Sequence, residues 1–219
     1  MPIGAGDGSS PVVGVLALQG AFDLHRRRLE SLGAVAPLVK RPHDLVGLDA
    51  VVLPGGESTT MSHLLTTSGL FDELKVHLGD GLPVLGTCAG MILCATEVFD
   101  GRDDQRSFDL IDITVRRNGY GRQLESFEAD IELPLIDLTL TGRAGDPPAR
   151  PSPAPFHAVF IRAPYVERTG PDVEILATHE GIPVLARAGT CTVAAFHPEL
   201  TADTRVHEMF VRSLPVRPS

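Results

Sequence analysis

A chain of 219 residues is long enough for one sizeable hydrophobic core and short for two. Its 28 acidic against 19 basic side chains give a formal net charge of −9, and Arg26-Arg27-Arg28 is its nearest approach to a basic run, which argues against a nucleic-acid partner. No apolar run reaches membrane-spanning length, and Cys88, Cys94 and Cys191 make neither a paired framework nor a C-x-x-C metal pattern, so a cytoplasmic protein with no membrane partner and no metal is expected.

Residues 1–11 are Gly/Ser/Pro-rich, without the positive segment or apolar core of a secretory signal, and are expected to be a disordered leader before one domain over 12–219. Val12 to Leu18 is a continuous apolar run suited to a strand buried on both faces. Ala21 to Leu32 has helical spacing with its charges, including the three arginines, on a solvated side, and Gly33 stops it. Ala34 to Val39 and Ala50 to Leu53 read as further strands, making a β-α-β opening with a parallel sheet. Pro54-Gly55-Gly56-Glu57-Ser58 follows directly, and consecutive glycines permit backbone conformations in which N–H groups face a ligand. A phosphate-gripping loop is a rival reading, weakened by the missing Gly-Lys-Ser/Thr ending. Thr59 to Leu78 holds one or two helices, interrupted near Ser68-Gly69.

Pro83-Val84-Leu85-Gly86-Thr87-Cys88-Ala89-Gly90-Met91-Ile92-Leu93 carries the first chemical signal. An apolar strand enters Gly-x-Cys-x-Gly and a helical run follows at once, so Cys88 falls on a sharp strand-to-helix turn, the pattern of a nucleophile elbow. Gly86 and Gly90 leave room for strand and helix to approach. Backbone N–H groups at the helix start favour an anionic nucleophile and could later hold an oxyanion. A small buried cysteine in a Gly-rich turn is the plain alternative.

Beyond the elbow helix, Gly101-Arg102-Asp103-Asp104 is a turn. Ser107 to Arg116 and Ser126 to Leu133 alternate in polarity and are expected to form an antiparallel flank. Residues 141–155 are Pro/Gly/Ala-rich and read as a surface loop. Phe156 to Ile161 is a strand, and Val173 to Thr178, Pro183 to Ala188 and Cys191 to Phe196 make a three-strand meander. It delivers His197, and in an extended segment Glu199 would point to the same side, so a base and its orienter could face one site. Cys88 would then be nucleophile, His197 general base and acid, and Glu199 the group fixing the imidazole tautomer. A polar loop is the alternative for His-Pro-Glu. His179 also ends a strand, but with no acid two residues on it is the weaker base. A closing helix from about Thr204 to Leu214 completes the chain.

Taken together, these stretches resemble the class I, triad-type glutamine amidotransferases, and more narrowly the glutaminase subunits of pyridoxal 5'-phosphate synthase. The narrower resemblance rests on Leu18-Gln19-Gly20-Ala21, Lys40-Arg41-Pro42, Leu53-Pro54-Gly55-Gly56-Glu57-Ser58-Thr59-Thr60-Met61, Gly121-Arg122-Gln123 with Ser126-Phe127-Glu128-Ala129, and Phe160-Ile161-Arg162-Ala163-Pro164. They stand in the family's order from near residue 12 to near residue 212, while Gly-x-Cys-x-Gly and His-Pro-Glu mark only the superfamily. The resemblance implies an α/β fold of three layers, with a mixed, mainly parallel sheet, helices on both faces and the nucleophile at the C-terminal edge of a central strand. It implies hydrolysis of L-glutamine to glutamate and ammonia without a cofactor, and a synthase subunit that accepts the ammonia. It assigns Gly56, Glu57, Ser58, Arg117, Ile161 and Arg162 to the glutamine pocket, and the N–H groups of Gly56 and Ala89 to the oxyanion hole. Arg117 could instead be an exposed turn residue, and Arg162 a structural ion-pair partner. The loop 141–155 is longer than the family's usual connection, and Ser107-Phe108-Asp109 replaces a Gly-containing stretch. A glutaminase serving imidazole glycerol phosphate synthase, a cysteine peptidase of related fold and a non-catalytic binding subunit are the competing readings.

Overall fold

A computed structural model describes residues 10–102, 104–117, 119, 126–133 and 154–215. Most of the expected leader, Asn118, Gly121-Arg122-Gln123 and nearly all of the Pro-rich loop lie outside the described residues.

The main sheet has seven strands: β1 (Val13–Leu16), β2 (Leu38–Val39), β3 (Ala50–Leu53), β4 (Val84–Thr87), β10 (Glu174–His179), β11 (Ile182–Ala188) and β12 (Cys191–Ala194). Their order is β10-β11-β12-β4-β3-β1-β2, with β4 in the middle. Pairing is parallel from β2 to β12 and antiparallel across β12-β11-β10. Every residue of β1, β3, β4 and β12 is buried, as unbroken apolar runs covered on both faces require. The helices are α1 (Phe22–Ser31), α2 (Ser58–Thr67), α3 (Leu70–Gly79), α4 (Ala89–Cys94) and α5 (Arg205–Arg212). Gly69, at φ +73°, makes the expected break between α2 and α3. On α1 the basic run is solvated only in part: Arg27 is exposed and Arg26 pairs with Asp23 and Glu30, but the Arg28 Nε is buried.

Two expectations need correction. Strand β6 (Ile111–Arg116) and strand β7 (Ser126–Ile131) do not pair with each other. The first lies between β5 (Ala95–Phe99), parallel to it, and β9 (Tyr165–Thr169), antiparallel to it; the second pairs with β8 (Phe156–Ile161) in a separate antiparallel ribbon. Alternation identifies a half-buried strand, since Ile111, Ile113 and Val115 turn inward, but says nothing about its partner. The antiparallel flank of the main sheet is the C-terminal meander. The elbow helix is also short: it ends at Cys94, and Thr96, Val98 and Phe99, residues that suit a pleated surface, continue as β5.

Register fixes the site. Thr87 of β4 pairs with Ala194 of β12, and the Cys88 N–H donates to the Ala194 carbonyl at 2.8 Å. Because the two strands run the same way, Cys88 and His197 leave the sheet at the same edge. His197 N–H in turn donates to the Val159 carbonyl of β8 at 2.9 Å. Glycine is required where the elbow crosses the sheet: a Cβ on Gly90 would stand 2.1 Å from the Leu53 carbonyl oxygen, and one on Gly86 would stand 2.6 Å from the Gly90 carbonyl oxygen.

Both collisions are with backbone, so side-chain movement cannot relieve them. Gly90→Ala should therefore destabilise the fold by about 1–3 kcal/mol or more, read as a lower denaturation midpoint. An unchanged midpoint would mean that the helix does not cross β3 this closely.

Candidate active site

The elbow is strained where chemistry would need it. Cys88 holds φ +49° and ψ −104°, a conformation L-residues rarely adopt, and immediately precedes α4. Ala89, fully buried, is the first residue of that helix, so its N–H has no acceptor within the helix. The Cys88 thiol points to the Ile161 carbonyl, with Sγ 3.7 Å from the oxygen. Arg162, next along, is exposed at φ +43°, a second strained residue at the same rim.

His197, Glu199 and Cys88 converge. His197 Nδ1 lies 2.8 Å from Glu199 Oε1, and the imidazole is close enough to Cys88 for the two to interact electrostatically. The pairing does not arise from an extended segment: Pro198–Leu200 is a 3-10 turn with His197 as its N-cap, and the turn curls Glu199 back beneath the ring. Burial works against a charge on His197, but the interaction with Cys88 and then the hydrogen bond to Glu199 outweigh it, raising the pKa to about 10. Glu199 has no solvent exposure. Burial opposes its ionisation too, yet the neighbouring His25 and the hydrogen bond from His197 hold it well below the usual carboxylate range. The rival base His179 is elsewhere, stacked on Phe127 and tilted against Phe160 of the β7–β8 ribbon.

The loop after β3 closes the other side. Gly55 packs so tightly on His197 that a Cβ there would meet the ring Cε1 at 2.3 Å. Gly56, at φ +151°, is exposed beside Gln19, whose side-chain amide donates to the Glu57 carbonyl. The Glu57 carboxylate caps α2 through the N–H groups of Thr59 at 3.0 Å and Thr60 at 2.7 Å, and it pairs with Arg117 at 2.6 Å. Burial disfavours its charge, but the Thr60 hydroxyl and N–H, the Thr59 N–H and Arg117 bring the pKa down to about 2. Arg117 also donates to Thr59 Oγ1 and Gln105 Oε1, so its guanidinium is held by the protein rather than standing free. Ser58 is buried, its hydroxyl 3.4 Å from Gln105 Oε1. The structure thus joins Glu57, Ser58 and Arg117 in one network. Gln19 and Thr87 stood in quoted sequence blocks without a role of their own, while Gln105, His25 and His207 were not singled out from the sequence; nothing in their spacing distinguishes those three from ordinary polar residues.

Residues 15–215 match the description of the SNO glutamine amidotransferase family. The chain belongs to that family. Subunit PdxT of pyridoxal 5'-phosphate synthase from Mycobacteroides abscessus is 50% identical over 202 residues, covering 92% of this chain and 96% of that protein. The Mycolicibacterium vanbaalenii protein of the same name is 50% identical over 209 residues, covering 94% and 99%. A solved glutamine amidotransferase, 40% identical, superposes with a TM-score of 0.79 over 93% of this chain and all of that one. A putative GMP synthase subunit from Thermoplasma acidophilum shares the fold, with a TM-score of 0.61 at 16% identity.

The Gly55 contact yields a test. Gly55→Ala should push the imidazole off its line to Cys88 and lower kcat for glutamine by roughly a hundredfold, while the denaturation midpoint stays near that of the parent. Equal kcat in the two proteins would mean that the loop does not fix the ring.

Proposed function

We propose that Cys88, His197 and Glu199 hydrolyse the side-chain amide of L-glutamine, and that the ammonia released is consumed by a separate synthase subunit making pyridoxal 5'-phosphate. The observation that carries the mechanism is a nucleophile on a strained elbow beside an imidazole that is itself hydrogen-bonded to a buried carboxylate.

The chain is the glutaminase subunit of pyridoxal 5'-phosphate synthase. In the reaction the Cys88 sulfur attacks the amide carbon, and the backbone N–H groups of Ala89 and Gly56 stabilise the oxyanion. His197 gives its proton to the departing nitrogen, releasing ammonia and leaving a thioester. Water then attacks the thioester, His197 takes its proton, and glutamate leaves as the sulfur is regenerated. Glu57, Ser58, Arg117, Ile161 and Arg162 form the pocket that selects glutamine. Its α-amine and α-carboxylate require paired charges of both signs, which Glu57 and the two arginines supply. Ammonia free in neutral water becomes ammonium and loses its nucleophilicity, so the acceptor must dock on this chain. The cytoplasm suits a reaction that needs a reduced thiol.

Glutamate release from L-glutamine should rise strongly when the synthase subunit is added and vanish with Cys88→Ala; persistence in the mutant would exclude this nucleophile. The proton on His197 is present below a pKa of about 10 and lost as pH rises through it. Glu199→Gln removes one of the two partners that raise this value, so the alkaline limb of kcat should move to lower pH, with kcat itself falling by about 10²–10⁴. An alkaline limb that stays in place would mean Glu199 does not tune the base.

A further inference from the structure

Behind the triad lies a polar chain that the mechanism above does not use. His25 of α1 is fully buried, as are Thr87 of the elbow strand and His207 of α5. His25 Nε2 lies 3.2 Å from Glu199 Oε2, the oxygen not engaged with His197. That contact is out of hydrogen-bonding alignment, and Oε2 has no other partner among the described residues. The Thr87 hydroxyl is 3.3 Å from the same nitrogen, and on the far side His25 Nδ1 lies 2.9 Å from His207 Nε2.

We propose that His25 is a positioning residue for the triad: its Nε2–H holds the second oxygen of Glu199, with Thr87 and His207 fixing the imidazole, so that the first oxygen stays aligned on His197.

Chemistry orders the protons. An ionised carboxylate only accepts, so in the proposed arrangement the His25 nitrogen facing it carries hydrogen, and the Thr87 hydroxyl oxygen accepts a share of the same N–H. His207 is neutral, because burial and then the neighbouring His25 lower its pKa to about 3. One imidazole therefore donates to the other across the 2.9 Å contact, and the buried Nδ1 of His207 has no partner among the described residues. Imidazoles thus stand on both sides of one carboxylate: His197 hydrogen-bonds to one oxygen, and His25 Nε2 lies 3.2 Å from the other, within reach of a bond that a small rotation of the ring would align. A carboxylate gripped at one oxygen can swing; gripped at both, it cannot, and the imidazole of His197 inherits that orientation. The three supports come from α1, β4 and α5, elements far apart in the chain.

The proposal rests on the triad reading, and the test separates the two. Glutamate release is measured with the synthase subunit present for His25→Leu, His25→Gln, Glu199→Gln, the Leu and Gln changes at 25 and 199 combined, and Cys88→Ala. His25→Leu should lower kcat by roughly a hundredfold with the KM for glutamine little changed. His25→Gln, whose amide can place an N–H near the same point, should recover much of the loss. In the Glu199→Gln background His25→Leu should cost little more, because its effect passes through the carboxylate. Wild-type kcat in His25→Leu, or full additivity with Glu199→Gln, would overturn the proposal while an inactive Cys88→Ala leaves the triad standing. Activity in Cys88→Ala would instead overturn the triad. If His25→Leu does not fold, imidazole ¹⁵N spectra of the parent chain decide: a protonated Nε2 on His25 is expected, and a bare one refutes the role.

Discussion

An ionised carboxylate with no access to water is the constraint on which the active end of the molecule depends. Removing a charge from solvent is costly, and Glu199 stays ionised only because imidazoles face both of its oxygens. Losing one partner from such an arrangement costs about 3–5 kcal/mol, since a charge is then left buried without compensation. Four pieces of chain must therefore agree on one point: α1 through His25, the elbow strand through Thr87, the 3-10 turn through His197 and Glu199, and α5 through His207. The same requirement that orients the base also ties both ends of the sequence to the central strand. Stability and catalytic alignment are here one set of contacts.

Parallel pairing of β4 with β12 explains why a nucleophile at residue 88 and a base at residue 197 meet. Two adjacent parallel strands finish at one edge of the sheet, and ligand sites in such sheets lie beyond the carboxyl ends of the strands. The glycines at 86 and 90 let α4 cross closely over β3 and β4. A bulkier residue would lift the helix and with it the N–H of Ala89. The close approach is thus a condition of the proposed oxyanion site as well as of packing.

How far this was legible in the sequence depended on whether a signal was local. Unbroken apolar runs gave β1, β3, β4 and β12, and Gly-x-Cys-x-Gly gave the elbow, because strand, turn and helix each leave a short-range mark. His197 and Glu199 were legible as a pair, although the geometry that joins them is a 3-10 turn rather than extended chain. Partners in space were not legible. Nothing in the alternation of Ile111, Ile113 and Val115 says that β6 pairs with β5 and β9 and not with β7. Likewise His25 reads as one polar residue among the charges of α1, and only the packing of α1 against α5 and the turn at Glu199 gives it neighbours. Long-range polar contacts carry no periodicity, so the sequence cannot announce them.

The network around Glu57 is organised on a different plan. Glu57 is at once the N-cap of α2 and the ion-pair partner of Arg117, while its backbone carbonyl takes the Gln19 amide. Arg117 in turn is held by Thr59 and Gln105. The Gln105 orientation follows from this, because a guanidinium only donates and so must face the amide oxygen. Each polar group is thus fixed by a bond that does not involve substrate, and the cost of ordering it is met in folding rather than in binding. A zwitterionic head group suits such a pair: its amine adds to the field of the carboxylate and its carboxylate to that of the guanidinium, so the net charge of the pocket is unchanged on binding. A ligand of one sign would leave Glu57 or Arg117 opposed. The proposed preference for an α-amino acid would follow from the pairing itself, with the elbow and its buried carboxylate left to act on the far end of the side chain.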